Sequence, residues 1–150
     1  MDLLARDIMT ETVIACVPDT KLEDAVKSLA EHEISGMPVI DAAGRVVGII
    51  SESDLLLADH LEPPRVKTAL FGLYIMRQSL IDRIAELRGV RVADVMTRHV
   101  ISFGPDTPVD EIARTLHDKK INRVPVVDEE GKLIGLLSRA DIIRALAQRM

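Results

Sequence analysis

Apolar residues recur along this chain in two rhythms, and the alternation of those rhythms occurs twice. Val13-Ile14-Ala15-Cys16 and Val100-Ile101-Ser102-Phe103 are short β-rich runs. Pro18-Asp19-Thr20 and Pro105-Asp106-Thr107 follow them as helix-start signals. Thr20 with Glu23, and Thr107 with Asp110, fit N-caps with an acid at N3, and Pro108 stands where a first helical residue is expected. Next comes one apolar stripe per copy: Leu22, Ala25, Val26 and Leu29, then Val109, Ile112, Ala113 and Leu116. The i, i+3, i+4, i+7 spacing predicts helices that bury one face. Met37-Pro38-Val39-Ile40 and Val124-Pro125-Val126-Val127 read as strands. Each leads through an Asp-x-x-Gly turn (Asp41 to Gly44, Asp128 to Gly131) into Val46 to Ile50 or Leu133 to Leu137. Two short apolar runs joined by a glycine turn predict a hairpin. Because the runs are nearly continuous, both sheet faces are expected to be covered. Pro38 and Pro125 are expected at strand starts or edges, since proline cannot donate to a ladder. A helix is expected from Ser51 and from Ser138.

The two copies align without a gap at a constant offset of 87 residues. Asp7-Ile8-Met9-Thr10 through Asp54 matches Asp94-Val95-Met96-Thr97 through Asp141, with 17 of 48 positions identical. A repeat of that kind is one structural unit used twice. It predicts an α/β fold of β-α-β-β-α repeats packed as a pseudo-twofold pair around a cleft. The expected boundaries are 1–56 for the first repeat, 57–93 for an insert and 94–150 for the second. Within the insert, Glu62-Pro63-Pro64 is a breaker and Gln78 to Leu87 reads as an amphipathic helix. Ala69 to Met76 is apolar and fits either element type.

Composition narrows the function classes. At 150 residues, 47% hydrophobic and 29% charged, the chain is globular, and with 2% aromatics its core must be aliphatic. Few aromatics remove the stacking platforms that single-stranded nucleic acid needs, and a net charge of −5 without a basic run removes the phosphate footprint. One cysteine, Cys16, permits no internal disulfide and is expected in the core, since it aligns with Phe103 in a predicted strand. The mixed segment after Met1 lacks a secretory pattern, and no run is long enough to span a bilayer. We therefore expect a cytoplasmic protein with neither membrane nor nucleic acid as partner. His32, His60, His99 and His117 have no metal-ligand spacing, and no nucleophile–base arrangement or Walker-type loop is legible, so neither a metal site nor an enzyme is expected.

The duplicated Asp-[Ile/Val]-Met-Thr, Pro-Asp-Thr, Pro-Val and Gly-x-x-Ser-x-x-Asp motifs resemble the CBS (cystathionine β-synthase) domain pair, or Bateman module. The resemblance covers the chain except 57–93. It implies a regulatory, non-enzymatic module, forming a homodimer, that requires no cofactor and binds AMP, ADP, ATP or S-adenosylmethionine. It implies that Asp54 and Asp141 accept hydrogen bonds from ribose hydroxyls, a charge-assisted contact. Ser51 and Ser138 open helices whose N–H groups suit a phosphate, and Gly48 and Gly135 allow close backbone approach. Thr10 and Thr97 match hydroxyls near phosphates, and Ile14, Ala15, Ile101 and Ser102 match the strand that meets adenine. By the same resemblance, the Asp54 pocket holds Thr97, Ile101, Ser102 and Arg123. The Asp141 pocket holds Thr10, Ile14, Ala15 and Ser35, with Arg139 beside the phosphates where the other copy has Glu52. The pockets are thus expected to be unequal, with Asp141 in the better anion site.

Read without the resemblance, Ser-x-x-Asp is equally an N-cap with its acid at N3, and capping and ligand contact can coexist. Arg123 is a surface arginine or a phosphate anchor, and Thr10 and Thr97 are turn caps or ligand contacts. The alternative function is a constitutive dimerisation or interaction scaffold with empty pockets. Either function leaves the regulated protein partner unnamed. Leu55, Leu56, Ile142 and Ile143, with Ala69 to Met76, are the expected self-association faces.

Overall fold

The computed structural model describes residues 2–56 and 89–150. In chain order the elements are α1 (Ala5–Ile8), α2 (Leu22–Glu31), β1 (Gly36–Ile40), β2 (Val46–Ser51), α3 (Glu52–Leu56), α4 (Val92–Val95), α5 (Val109–Asp118), β3 (Arg123–Val127), β4 (Leu133–Ser138) and α6 (Arg139–Arg149). β1 pairs with β2 and β3 with β4. The Gln78 to Leu87 helix and the Ala69 to Met76 run expected from the sequence lie outside the described residues.

The chain divides into two compact units, and each draws on both sequence copies. One comprises Met1–Ala15, Ile40–Val47 and His99–Met150; the other comprises Cys16–Val39 and the described part of Gly48–Arg98. In the first unit α6 packs on β4, α5 and α1. Its core is Ala5, Val109, Ile112, Leu116, Val124, Val126, Leu137 and Ile142, with Leu3, Ile8, Met9 and Phe103 packed against it. In the second, Leu22, Ala25, Leu29, Met37, Val39, Ile50, Leu55, Val92, Val95 and Met96 are buried. The stripes read from periodicity are thus the buried faces of α2 and α5. The turns of the two hairpins meet inside the first unit, where Leu133 N–H donates to Gly44 O at 2.9 Å and Val46 N–H to Gly131 O at 3.2 Å. Gly44 and Gly131 take φ of 86° and 82°, which explains glycine there.

The exchange of leading segments accounts for two of the repeated motifs. In the first unit α1 docks on the Pro-Asp-Thr turn: Ala5 N–H donates to Thr107 O and Arg6 N–H to Pro105 O, while Val109 N–H donates to Leu3 O. The second unit repeats this, with Val92 N–H to Thr20 O, Ala93 N–H to Pro18 O and Leu22 N–H to Val90 O. Each short helix and each long one therefore has orphan N–H groups satisfied by the other's main chain. The aspartates of Asp-[Ile/Val]-Met-Thr serve the same end, since Asp7 Oδ2 accepts Leu4 N–H and Asp94 Oδ2 accepts Arg91 N–H, each at 2.8 Å. This corrects the expected caps. Lys21 and Pro108 are the N-cap residues of α2 and α5, neither with a side-chain cap bond. Thr20 Oγ1 accepts Val17 N–H at 3.1 Å instead.

The expected leading strands are reduced to single parallel bridges, Cys16 with Val39 and Phe103 with Val126. The prolines explain this. Cys16 N–H donates to Pro38 O and Phe103 N–H to Pro125 O, both at 3.1 Å. The next rung of a parallel ladder needs an N–H from Pro38 or Pro125 to the carbonyl of Ile14 or Ile101, and proline has none. Nor do these prolines sit at strand ends: both are fully buried inside β1 and β3. Coverage of the sheets also differs from expectation. β1 and β3 are buried on both faces, whereas β2 and β4 alternate, with Gly48 and Ile50 or Gly135 and Leu137 inward. No helix among the described residues is long and apolar enough to cross a membrane.

Candidate functional site

Two Ser-x-x-Asp frames form the candidate site, one in each unit. In the first unit Ser138 ends β4 in extended geometry and is the N-cap of α6. Its N–H donates to Asp141 Oδ2 at 2.9 Å, its hydroxyl donates to the same oxygen at 3.0 Å, and it accepts Asp141 N–H at 3.2 Å. This reciprocal cap holds the Asp141 carboxylate, which is 9% exposed, at the start of a helix of 11 residues. The other carboxylate oxygen, Oδ1, accepts Arg144 Nη1 at 3.1 Å. Thr10 arrives beside this frame through a pair of main-chain bonds with Leu136, both 2.9 Å.

In the second unit Ser51 N–H donates to Asp54 Oδ2 at 2.9 Å and Ser51 Oγ at 3.2 Å. Here the other oxygen accepts the Thr97 hydroxyl at 2.6 Å. Thr97 is brought there by antiparallel bonds with Ile49 of 2.9 and 3.0 Å. Gly48 is what admits that segment. A Cβ at position 48 would lie 2.6 Å from Met96 Sδ and 3.0 Å from Thr97 O, and one at Gly135 would overlap Met9 Sδ. The close approach expected at these glycines is thus made by the methionine of Asp-x-Met-Thr.

The remaining expected residues are placed as follows. Ile14 and Ala15 are half-buried, while Ile101 and Ser102 are exposed. All four lie in the unit that holds Asp141. Arg123 opens β3 directly across from Ser138. Ser35 O accepts Glu52 N–H at 3.0 Å, as Asn122 O accepts Arg139 N–H at 3.0 Å. Thr97 shares a unit with Asp54, and Thr10, Ile14 and Ala15 share one with Asp141, as the resemblance groups them; Ile101, Ser102 and Arg123 lie in the Asp141 unit and Ser35 in the Asp54 unit. Arg139 is occupied elsewhere. Its Nε donates to Ile121 O at 3.0 Å and its Nη2 to Leu116 O at 2.9 Å, so its charge caps the C-terminal end of α5. The Ser138 helix start, the other ground for ranking the Asp141 pocket higher, is present.

Sequence reasoning missed Arg144. Arg144 was within reach of it, because an acid and an arginine three apart on a helix share a face. Thr97 was grouped with Asp54 by the resemblance, and the structure bonds the two across 43 positions. Cys16, expected in the core, is half-buried, and burial pushes its thiol from 9.0 to about 11, away from the range of a reactive thiolate. Among the described residues, no three of His, Cys, Asp and Glu come together to hold a metal ion.

This architecture, two repeats that each carry a bridging leading segment, a helix, a hairpin and a closing helix opened by a Ser-x-x-Asp frame, defines a CBS pair. The CBS domain model matches residues 5–60 and 92–148, and the chain belongs to that family. A protein designated MJ1426 from Methanocaldococcus jannaschii is 34% identical, with 96% of this chain and 91% of that protein covered. The crystal structure of CBSX2 from Arabidopsis thaliana superposes with a TM-score of 0.81 at 33% identity, covering 99% of this chain and 97% of that one. The complex of CBSX2 with AMP superposes at 0.75 and 32%, covering 97% of each chain. The CBS domain pair of protein MJ0100, solved with 5′-methylthioadenosine and S-adenosyl-L-methionine, superposes at 0.74 with 25% identity over the full length of both. This chain spans 57% of the chloroplastic CBSX2 protein as a whole.

Proposed function

We propose that this chain is a non-enzymatic regulatory module that binds adenosine-containing ligands, AMP, ADP, ATP or S-adenosylmethionine, through its two Ser-x-x-Asp frames. The observation that carries the reading is the duplicated carboxylate, fixed by its own serine in both units so that its remaining lone pairs have a defined direction. A carboxylate so fixed is suited to the paired hydroxyls of a ribose. The AMP complex of CBSX2 and the adenosyl complex of MJ0100 support the ligand class. The carbonyls of Ile14 and Ile101, denied a ladder partner by Pro38 and Pro125, are acceptors for an adenine amine. Ligand favours one packing of the module, and a partner protein reads that packing in the cytoplasm. No cofactor is needed for that role. Self-association completes the proposal through Ile143, Leu146 and Met150, which stand exposed along one side of α6. Leu55 and Ile142, first expected on such a face, are buried in the core. The module runs as repeats over 1–56 and 94–150 joined by 57–93.

One observation favours the scaffold alternative: both carboxylates already have internal partners on each oxygen. A thermal-shift series separates the two readings. At about 100 times its Kd, a ligand adds roughly 2.7 kcal/mol and raises Tm by roughly 5–10 °C. If none of the four ligands moves Tm at millimolar concentration, the scaffold reading holds.

A further inference from the structure

We propose that Arg144 sets the ligand charge preference of the Asp141 frame, steering it towards adenosine ligands that carry phosphate. The inference rests on the adenosine-binding function proposed above and concerns which ligands that frame accepts.

The two frames are alike at one carboxylate oxygen and unlike at the other. Oδ2 takes the serine N–H and hydroxyl in both. Oδ1 of Asp54 takes a neutral hydroxyl, that of Thr97, while Oδ1 of Asp141 takes the Arg144 guanidinium at 3.1 Å. In the repeat register Arg144 corresponds to Leu57, so the first copy has no cation there, and it carries the acid Glu52 where the second has Arg139. Among the described residues, the Asp54 carboxylate is bonded only by Ser51 and Thr97. The Asp141 frame holds an ion pair.

A ligand whose ribose hydroxyls reach Asp141 places its 5′ substituent within one sugar's length of that pair. This is shorter than the Debye length of about 10 Å at 0.1 M salt, so the substituent feels the arginine charge. Phosphate is attracted, and the sulfonium of an adenosyl ligand gains nothing. The Arg144 side chain is 66% exposed, so it can turn from Asp141 towards a ligand, and its planar fork suits phosphate oxygens. The Asp54 frame has no arginine bonded to its carboxylate among the described residues, so this attraction for phosphate is not built there.

The test is calorimetric titration of AMP, adenosine and S-adenosylmethionine into wild type, Arg144→Leu and Arg144→Lys. Leucine is the residue the first copy has at this position. The AMP-to-adenosine affinity ratio at the tighter AMP site is expected to fall about tenfold in Arg144→Leu. S-adenosylmethionine should bind no worse, and Arg144→Lys should keep most of the wild-type ratio. An unchanged ratio in a folded Arg144→Leu chain overturns the inference, as does an equal gain for all three ligands, which would make Arg144 a mere competitor for the carboxylate. A wild-type chain that binds none of the three overturns the adenosine reading itself and this inference with it.

Discussion

Replacing Gly48 by alanine tests whether the repeated Gly-x-x-Ser-x-x-Asp motif is a packing device before it is anything else. The added Cβ falls 2.6 Å from Met96 Sδ, 3.0 Å from Thr97 O and 3.1 Å from Met96 Cγ. Ordinary carbon contacts are about 3.5–4.0 Å, so the overlap is roughly 1 Å. Met96 is only 8% exposed and has little room to retreat. Thr97 O belongs to the main chain and accepts Ile49 N–H at 3.0 Å. Overpacking of this kind costs about 1–3 kcal/mol. Moving Thr97 also strains its bond to the Asp54 carboxylate, a class worth about 1.5–3 kcal/mol. We expect a loss on the order of 3 kcal/mol for Gly48→Ala, about 6–12 °C in Tm at this chain length. Gly135→Ala has the side chain of Met9 as its nearest obstacle, which is half-buried and flexible, and should cost about 1–2 kcal/mol. Urea unfolding with double-mutant cycles separates the cases. Met9→Ala should rescue Gly135→Ala, and Met96→Ala should rescue Gly48→Ala only in part, because Thr97 O stays in place. Equal costs with equal rescue, or a Gly48→Ala chain within about 0.5 kcal/mol of wild type, would refute the reasoning.

Three further outcomes follow from the same contacts. Arg139→Ala removes two charge-assisted bonds at the end of α5 and should lower stability by about 1–2 kcal/mol while changing AMP affinity less than about threefold; a large affinity loss at full stability would return Arg139 to the ligand. The Cys16 thiol, with its pKa raised by burial from 9.0 to about 11, titrates earlier when unfolded, so its contribution to stability is complete below pH 9.0 and is lost as pH rises through about 11. Unfolding midpoints taken between those limits for wild type and Cys16→Ala should converge with pH, and parallel curves would contradict the assignment. Pro125→Val restores an N–H that can extend the ladder to Ile101 O, so it should hold stability yet weaken AMP binding about fivefold; unchanged affinity would remove Ile101 from the ligand site.

Much of the fold was legible because it is local. The helical stripes, the Asp-x-x-Gly turns and the 87-residue register depend on residues near each other in sequence, and periodicity reports such contacts directly. The exchange of leading segments was legible only through the family resemblance, which grouped Thr97 with Asp54 and Thr10 with Asp141. Thr97 meeting Asp54 and Thr10 meeting Leu136 are long-range pairings with no local signature. The Pro-Asp-Thr turns were misread for the same reason: their carbonyls serve another segment's helix, so a threonine that looks like a cap bonds backward to Val17. The candidate site divides likewise. Ser138 and Asp141 satisfy both readings of their motif, as a cap and as an oriented carboxylate. Arg139 was placed beside a phosphate by the resemblance, and its guanidinium bonds the carbonyls of Leu116 and Ile121. Cavity-lining position cannot be inferred from adjacency in sequence, since neighbours at a helix start point in different directions.

The most direct measurement is titration of AMP into wild type and into the Asp54→Ala, Asp141→Ala chain, with a urea curve to establish that the double variant is folded. Each carboxylate should supply a charge-assisted contact of about 1.5–3 kcal/mol to the ribose, so saturable binding in wild type should weaken at least about tenfold when both are removed. A folded double variant that binds AMP as tightly as wild type, or a wild-type chain that binds no adenosine ligand, would contradict the account.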